Sequence, residues 1–550
     1  MFEKFDKHMK KHLLTCFLLI AVNTLIAQRP KFKWGPIQES KNTQDFGSIG
    51  GNKNGYYSTG SAKHGWWIFG NWEKTINKYD MKHELVSTRE YYYKMGKEKL
   101  KFTGDGFFIN NNLHVFASKY NSKKDVNKIY KKTFNADLSE ESEWEEFEEI
   151  ASKKEKNANA FNFIRSEDES KVMLYINNPE DKKKKKESVT YKVYDNNLKK
   201  LWEKELEFEF DDKKFLVSNY SITNNGQVVL LGKKNLNKKD AEKGKPNYKY
   251  VIFLYDNDKN ALEQFDVSLG TNYINDISYT IDNDNKKLLI TGFYANKNTG
   301  TLSGVFYQRI DMVSKTVEIE NTKEFERDFL LDHLKESKVD KNKEISNHYD
   351  IRQLVRRDDG GLVMVAEYYM MYVTSTTTRN GNTSTTTYTY HYYYNDIILF
   401  NIDKDGKIGW SVTVPKIQYS TNDGGYYSSY LLSVEKDKMI FLYYDNEENF
   451  NKNSKKKSKN RLKIEVKSMT NIHKAVLAMA VVDYDGNLSR EIVMKSRKER
   501  KLKSKDPIFI PKETIVLEGD NILVKSILGS YYQYGFLTFE GEGKNDGDDK

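Results

Sequence analysis

The sequence predicts an all-β fold: a single β-propeller of about seven four-stranded blades, with six or eight as alternatives. Three observations point there: the composition, a pair of alternating hairpin phrases, and the spacing at which they return. Across 550 residues there are 38 Tyr and 29 Phe against 7 Pro, and Asn, Asp, Gly and Lys fill the gaps between short apolar runs. Aromatic and β-branched runs bounded by turn formers suit strands better than helices.

The first phrase is a strand, an Asn/Asp/Gly turn and a strongly apolar strand. It occurs as GDGFFINNNLHVFAS from Gly104, FNFIRSEDESKVMLYI from Phe161, YSITNNGQVVLLG from Tyr220, ISYTIDNDNKKLLITG from Ile277, IRQLVRRDDGGLVMVAE from Ile351, LLSVEKDKMIFLYY from Leu431 and ETIVLEGDNILVKSI from Glu513. A second phrase comes between them: YKVYDNNLKKLWEKELEF from Tyr191, IFLYDNDKNALEQFDVSL from Ile252, IILFNIDKDGKIGWSVTV from Ile397 and AMAVVDYDGNLSREIVM from Ala478, with weaker copies at 130–150 and 306–325. Each phrase is a strand pair joined by a short turn, so one of each makes a four-stranded antiparallel sheet.

Val115, Leu174, Leu230, Ile290, Val365, Phe441 and Val524 mark the apolar strand of each first phrase, at intervals of about 56–60 residues for the first three and about 75–83 thereafter. A lone four-stranded sheet exposes two apolar faces and two open edges; radial stacking covers the faces, and closure protects the ends. A half-unit remains at each terminus. The segment from His64 to Tyr93 and the strands through GSYYQYGFLTFE from Gly529 are expected to complete one another as a closing blade. The implied boundaries are a signal peptide over 1–27, an N-terminal extension over 28–60, the propeller over 61–540 and a disordered tail over 541–550.

Insertions account for the longer late intervals. NTKEFERDFLLDHLKESKVDKN from Asn321 places Phe325, Phe329, Leu330 and Leu334 at helical spacing, which predicts a surface helix. TSTTTRNGNTSTTTYTYHYYYN from Thr374 reads as an extended hairpin. The segments from Asn446 and Lys495 read as basic loops.

The N-terminus has lysines 4, 7, 10 and 11 before an apolar run from Leu13 to Ala27, the pattern of a secretory signal peptide. The run is shorter than the roughly 20 residues a spanning helix requires. Its ending, LIAQ, resembles export signals of Bacteroidetes. Export to the periplasm, or to the extracellular or cell-surface side, is therefore expected, with no transmembrane segment in the mature chain. The formal charge of +10 becomes +8 without the leader. Cys16 is the sole cysteine, so a mature chain from Gln28 has no disulfide and no cysteine metal ligand.

YDNNLKKLW at 194–202 and NIDKDGKIGW at 401–410 resemble the repeats of quinoprotein (PQQ-like) and WD40-like propellers. The resemblance covers most of the mature chain and implies a propeller fold. The quinoprotein cofactor site, with calcium and a vicinal cysteine pair, is not supported by a chain without cysteine after residue 16. Asn401, Asp403, Asp405 and Gly406 also match part of a calcium loop, but the twelfth position is Val412 where a bidentate Glu is required. The copy at 483–487 has Val481 at the first ligand position, so a tight Asp-Gly turn is the favoured reading. No cofactor and no metal are expected.

No HExxH, P-loop or GxSxG motif is present, and no catalytic residue is nominated. The basic runs 182–186, 455–463 and 495–505 read as solvated loops in which like charges repel; they contain few aromatics for stacking, and nucleic acid is not an expected partner. The aromatic clusters are the better lead. In a strand, neighbouring side chains point to opposite faces, so half of a run such as YTYHYYY must face water or a partner. The candidate binding residues are Tyr388, Tyr390, His391, Tyr392, Tyr393, Tyr394, Tyr426 and Tyr427. The expected function is non-enzymatic binding or scaffolding with a protein or glycan of the bacterial cell envelope. The alternatives are a glycan hydrolase or oxidoreductase with its site at the central channel, and a component of a larger envelope machine.

Overall fold

A computed structural model describes residues 29–540 except 41–42, 65–70, 104–105, 153–160, 178–185, 212–213, 238–241, 243–244, 299, 382, 452–454, 459–460, 465 and 518–520. The segments expected to be a signal peptide and a disordered tail, Trp66, Trp67 and most of the first basic run lie outside the described residues, as does part of the second.

Each pair of phrases forms one antiparallel sheet. Phe215–Ile222, Val228–Asn235, Tyr248–Asp256 and Ala261–Val267 pair in chain order, and six other sheets repeat the pattern between 43 and 494. The last sheet takes Ile508–Val516, Ile522–Leu528 and Tyr531–Glu540 from the C-terminus and Arg29–Trp34 from the N-terminus. Arg29–Trp34 runs antiparallel to Tyr531–Glu540 from Arg29↔Glu540 to Trp34↔Gly535. Among the described residues there are thus eight sheets of this kind, here blades 1 to 8 in order of their first strands.

Alternation along each strand explains why the blades stack. Val228 and Leu230 enter the apolar cluster shared with blade 3, whereas Val229 and Leu231 enter the one shared with blade 5. Every blade has two such faces. Eight clusters join consecutive blades, and the eighth brings Tyr56 and Tyr79 of blade 1 against Leu523, Tyr534 and Phe536 of blade 8. The cycle of contacts returns to its start, and the fold is a β-propeller. All seven anchor residues lie in the second strand of a blade, at 0–1% exposure.

The sheets among the described residues number eight, one of the alternatives to the expected seven. The segment from His64 to Tyr93 does not complete the C-terminal strands; it belongs to blade 1, which is built from Thr43–Asn52, Gly55–His64, Asn71–Tyr79 and Leu85–Tyr92. The second strand of this blade, GYYSTGSAKH, lacks the aliphatic run that marks its counterparts, so it carries no visible phrase. The closing strand comes instead from Arg29–Trp34, inside the segment expected to be an extension. The predicted helix is confined to Arg327–His333 and Glu336–Val339, because Thr316–Glu324 is the outer strand of blade 5.

Strand parity sorts the connections. With four antiparallel strands in order, the turns from first to second and from third to fourth strand fall at one end of the ring. The connections from second to third strand, and from blade to blade, fall at the other. The first end carries short turns, such as 403–407 and 483–487. There Asp403 accepts the N–H groups of Asp405 (3.0 Å) and Lys407 (2.8 Å), and Asp483 does the same for Asp485 and Asn487. Gly406 (φ 77°) and Gly486 (φ 83°) supply the left-handed residue, and a Cβ on Gly486 would meet the Trp410 ring at 2.6 Å. The Asn401–Gly406 segment therefore works as a turn whose aspartate is occupied by backbone, and Asn401 accepts from the Arg357 guanidinium. The insertions, including the helical segment, the hairpin after Thr374 and both late basic segments, lie at the opposite end.

Phe441, at 0% exposure between blades 6 and 7, tests the inter-blade packing. Phe441→Ala is expected to lower the unfolding free energy by about 3–5 kcal/mol in urea denaturation; a loss of under about 1 kcal/mol would contradict a close-packed cluster there.

Candidate functional site

Blade 6 departs from its neighbours in its middle strands. Leu362–Asn380 and Thr383–Ile402 continue past the sheet as one two-stranded ribbon, paired from Tyr369↔Tyr394 out to Asn380↔Thr383. Thr, Tyr and Val favour the extended state along this run, and Gly381 (φ 61°) provides the reversal at the tip. A register shift between Glu367 and Tyr369 marks where sheet becomes ribbon.

Directly opposed residues share a face. On one face lie Tyr372 with His391 and Met370 with Tyr393; on the other lie Met371 with Tyr392, Val373 with Tyr390, and Ser375 with Tyr388. The first face is partly covered, with Tyr372 still 39% exposed. Gln418–Thr421 adds a third strand beside His391–Tyr394, setting Tyr419 opposite Tyr393. Tyr372 stacks on His391 with ring centroids 4.5 Å apart and planes 13° from parallel, and Tyr393 lies 4.8 Å from Tyr419. Both imidazole nitrogens of His391 are engaged, Nδ1 with the Tyr419 hydroxyl (2.9 Å) and Nε2 with the Thr374 hydroxyl (2.8 Å). The hydrogen bond with Tyr372 pushes the Tyr393 phenol up to about 12.

The second face is open. Met371 is 47% exposed, Val373 44%, Tyr388 59% and Tyr390 44%, with Tyr392 half-buried nearer the root. These form one contiguous apolar and aromatic row. Of the sequence candidates, the structure brings Tyr388, Tyr390 and Tyr392 together on this face and puts His391 and Tyr393 on the other. Tyr394, at 9% exposure, belongs to the root, where its ring lies 4.8 Å from Tyr369. Tyr426 and Tyr427 lie in the connection to blade 7, half-buried and edge-on to each other, and the Tyr427 hydroxyl donates to the Ile527 carbonyl of blade 8 at 2.9 Å. Burial raises the phenols of both. Sequence reasoning missed Met371 and Val373, whose cross-strand partners could be read only once the register was known. It also missed Asn422, which closes the ribbon's root by donating to the Tyr390 carbonyl (3.0 Å) and accepting the Tyr390 N–H on its side chain (2.9 Å).

The root is held by a buried ion pair. Lys416 and Glu367 have side chains at 0% exposure with Nζ and Oε1 2.7 Å apart. Lys416 also donates to the Tyr394 carbonyl (3.0 Å) and to Gln418 Oε1 (3.2 Å), while Glu367 Oε2 accepts from the Ser429 hydroxyl (2.7 Å). Burial lowers the Lys416 pKa, and the neighbouring Glu367 carboxylate opposes that shift. A buried ion pair persists when its remaining donors and acceptors are satisfied, and here they are supplied by both ribbon strands and the following connection. The ribbon therefore leaves the blade in a fixed direction.

Beside the root is a cavity of about 700 Å³, lined in part by Tyr426, Lys512, Glu513, Lys525 and Tyr532. Lys512 donates to the Gly425 carbonyl (2.7 Å) and lies over the Tyr394 ring at 5.2 Å; Lys525 pairs with Glu513 at 3.1 Å. No group of three or more His, Cys, Asp or Glu suited to a metal ion occurs among the described residues, and none of their helices is long and apolar enough to cross a membrane. The basic segment 495–505 is not the extended, self-repelling loop expected. Arg497 is buried and folds the segment by donating to the carbonyls of Lys503 (2.8 Å) and Asp506 (2.6 Å).

No family model and no curated protein sequence matches the chain. Among solved structures it is similar to the WD40 domain of SCAP from fission yeast, with TM-score 0.35 and 10% identity over 92% of this chain and 98% of that one. It is also similar to the polysaccharide lyase Uly1, with TM-score 0.34 and 9% identity over 81% and 94%. The β-propeller domain of the Trilobed protease from Pyrococcus furiosus gives TM-score 0.32 and 11% identity over 85% and 100%. At these scores the similarities carry no argument about activity.

Asp445 lies under the root, in an ion pair with Arg490 (2.6 Å), yet burial raises its carboxyl to about 6. An unfolded aspartate titrates near 3.9. Between about 4 and 6 the folded chain holds a proton that the unfolded chain has lost, so this group's contribution is full below about 4 and is lost as pH rises through about 6. Relative to the native chain, Asp445→Asn is expected to remove that component from the pH dependence of the urea midpoint; an identical slope in both would contradict it.

Proposed function

We propose that this protein is an exported, non-enzymatic binding scaffold whose projecting ribbon engages a protein or glycan partner at the cell envelope. The observation that carries the reading is the row Met371, Val373, Tyr388 and Tyr390, exposed side by side on one face of a ribbon with a fixed root. Tyrosines offer large contact area with two side-chain torsions to immobilise and a hydroxyl for hydrogen bonding, which suits protein and sugar surfaces alike. Contiguous exposed apolar rows on a folded body mark contact sites. The leader read from the sequence supports the compartment, and the eight-bladed body supports the role of a stiff mount.

The triple substitution Val373→Ser, Tyr388→Ser and Tyr390→Ser alters the open face and leaves the Tyr372–His391–Tyr419 side intact. It is expected to reduce capture of the partner from solubilised envelope at least about tenfold, as for loss of an interface hot spot, with an unchanged melting temperature. Treating the envelope beforehand with protease or with periodate separates a protein partner from a glycan. Undiminished capture by the triple variant would refute the role of this face.

A further inference from the structure

The edge of the ribbon carries information distinct from its face. Leu362–Asn380 is bonded on both sides as far as Tyr369, whose N–H donates to the His348 carbonyl (2.8 Å); beyond it, the strand has Thr383–Ile402 on one side only. Among the described residues, nothing pairs with the other edge of 370–380, and 371–380 are all exposed. The far side of the ribbon is covered at its root by Gln418–Thr421.

A free strand edge presents unpaired N–H and C=O groups to solvent, and folded proteins ordinarily guard such edges with Lys, Pro, bulges or shortness. This edge has none of those guards. From Tyr368 to Asn395 the one charged residue is Arg379, in a chain in which 31% of residues are charged. The outward strand reads MMYVTSTTTRN, rich in residues that favour pairing.

We infer that 370–380 pairs antiparallel with the same strand of a second copy, joining two ribbons into one sheet and the protein into a homodimer. Charge selects this occupant. Without the leader the formal net charge is +8, so two bodies repel. At about 3.4 Å per residue the strand reaches over 30 Å from its root and carries Arg379 as its one charge. A two-fold arrangement is self-complementary. With 370 paired to 380 of the other copy, it sets each Arg379 opposite Met371 near the root of the other ribbon rather than against the other Arg379. A strand with many charges would instead set them against Thr and Val. Pairing about an axis normal to the sheet leaves both Tyr388–Tyr390 faces on one side, so the dimer doubles the proposed binding face; the pairing itself does not depend on that role.

The test is sedimentation equilibrium of the mature chain at micromolar concentration. The native protein is expected at twice the monomer mass. Thr374 and Thr376 lie on the face away from Tyr388 and Tyr390, and with Ser375 on the two-fold axis each Thr374 faces Thr376 of the other copy, so like charges there oppose one another. Thr374→Lys/Thr376→Lys and Thr374→Glu/Thr376→Glu are each expected to be monomeric with unchanged circular dichroism, and their equimolar mixture to regain the doubled mass. The regained mass separates edge pairing from misfolding. A monomeric native chain, or a dimer that survives in both charged variants, would overturn the inference. The Val373/Tyr388/Tyr390 serine variant should remain dimeric, so failure of the partner reading and failure of the dimer are read separately.

Discussion

Every blade of this protein is apolar on both faces, and the rest of the structure answers that constraint. Val363 and Val365 point into the cluster shared with blade 7, while their neighbours Leu362 and Met364 point into the one shared with blade 5. A sheet of this kind has no solvent-facing side, so it requires a neighbour on each flank, and so does its neighbour. The demand ends only when the last blade meets the first. Tyr56 and Tyr79 meet it from one side and Phe536 and Leu523 from the other. Blade 8 is complete only with a strand drawn from the opposite end of the chain, where Phe32 and Trp34 pack on Phe509.

Antiparallel order then decides where variation can occur. Turns at one end bind one another: Arg356 reaches Glu167 and the Ile281 carbonyl, Asn283 reaches Glu167, and Trp410 donates to the Tyr484 carbonyl at 3.0 Å. Lengthening any of them would break contacts between blades. The opposite end also has contacts between blades, such as Tyr427 with the Ile527 carbonyl, and it carries the ribbon, the short helices and the basic segments. The buried Lys416–Glu367 pair gives the ribbon an orientation that a flexible loop would lack. Display of an aromatic row on a stiff mount follows from these two facts, and loops set on a rigid scaffold are where binding residues concentrate.

Much of this was legible in the sequence because strand pairs with short turns leave local marks. The apolar anchors from Val115 to Val524 fall in equivalent strands because each needs a β-rich run with two buried faces. Blade 1 escaped because its second strand relies on tyrosines, Ser58 and Thr59 rather than aliphatics. The closing role of Arg29–Trp34 was invisible, since RPKFKW has no phrase of its own and gains meaning only from a partner some 500 residues away. In the ribbon, alternation told that half the tyrosines would be outward but not which half. That depended on the register shift beside Tyr368, which sets the face of every residue beyond it. The root ion pair left no local signal, because Glu367 and Lys416 look like any other charges in a chain so rich in them.

Ring closure by the N-terminal strand is the central claim, and amide hydrogen exchange tests it most directly. In the full chain, the amides of Tyr531–Glu540 should exchange as slowly as those of Tyr248–Asp256, a third strand in an uninterrupted blade. In a chain lacking Arg29–Trp34, protection should fall in Tyr531–Glu540 and spread to Gly55–His64 of blade 1, while Tyr248–Asp256 keeps its own. Equal protection of Tyr531–Glu540 with and without that strand would contradict the account.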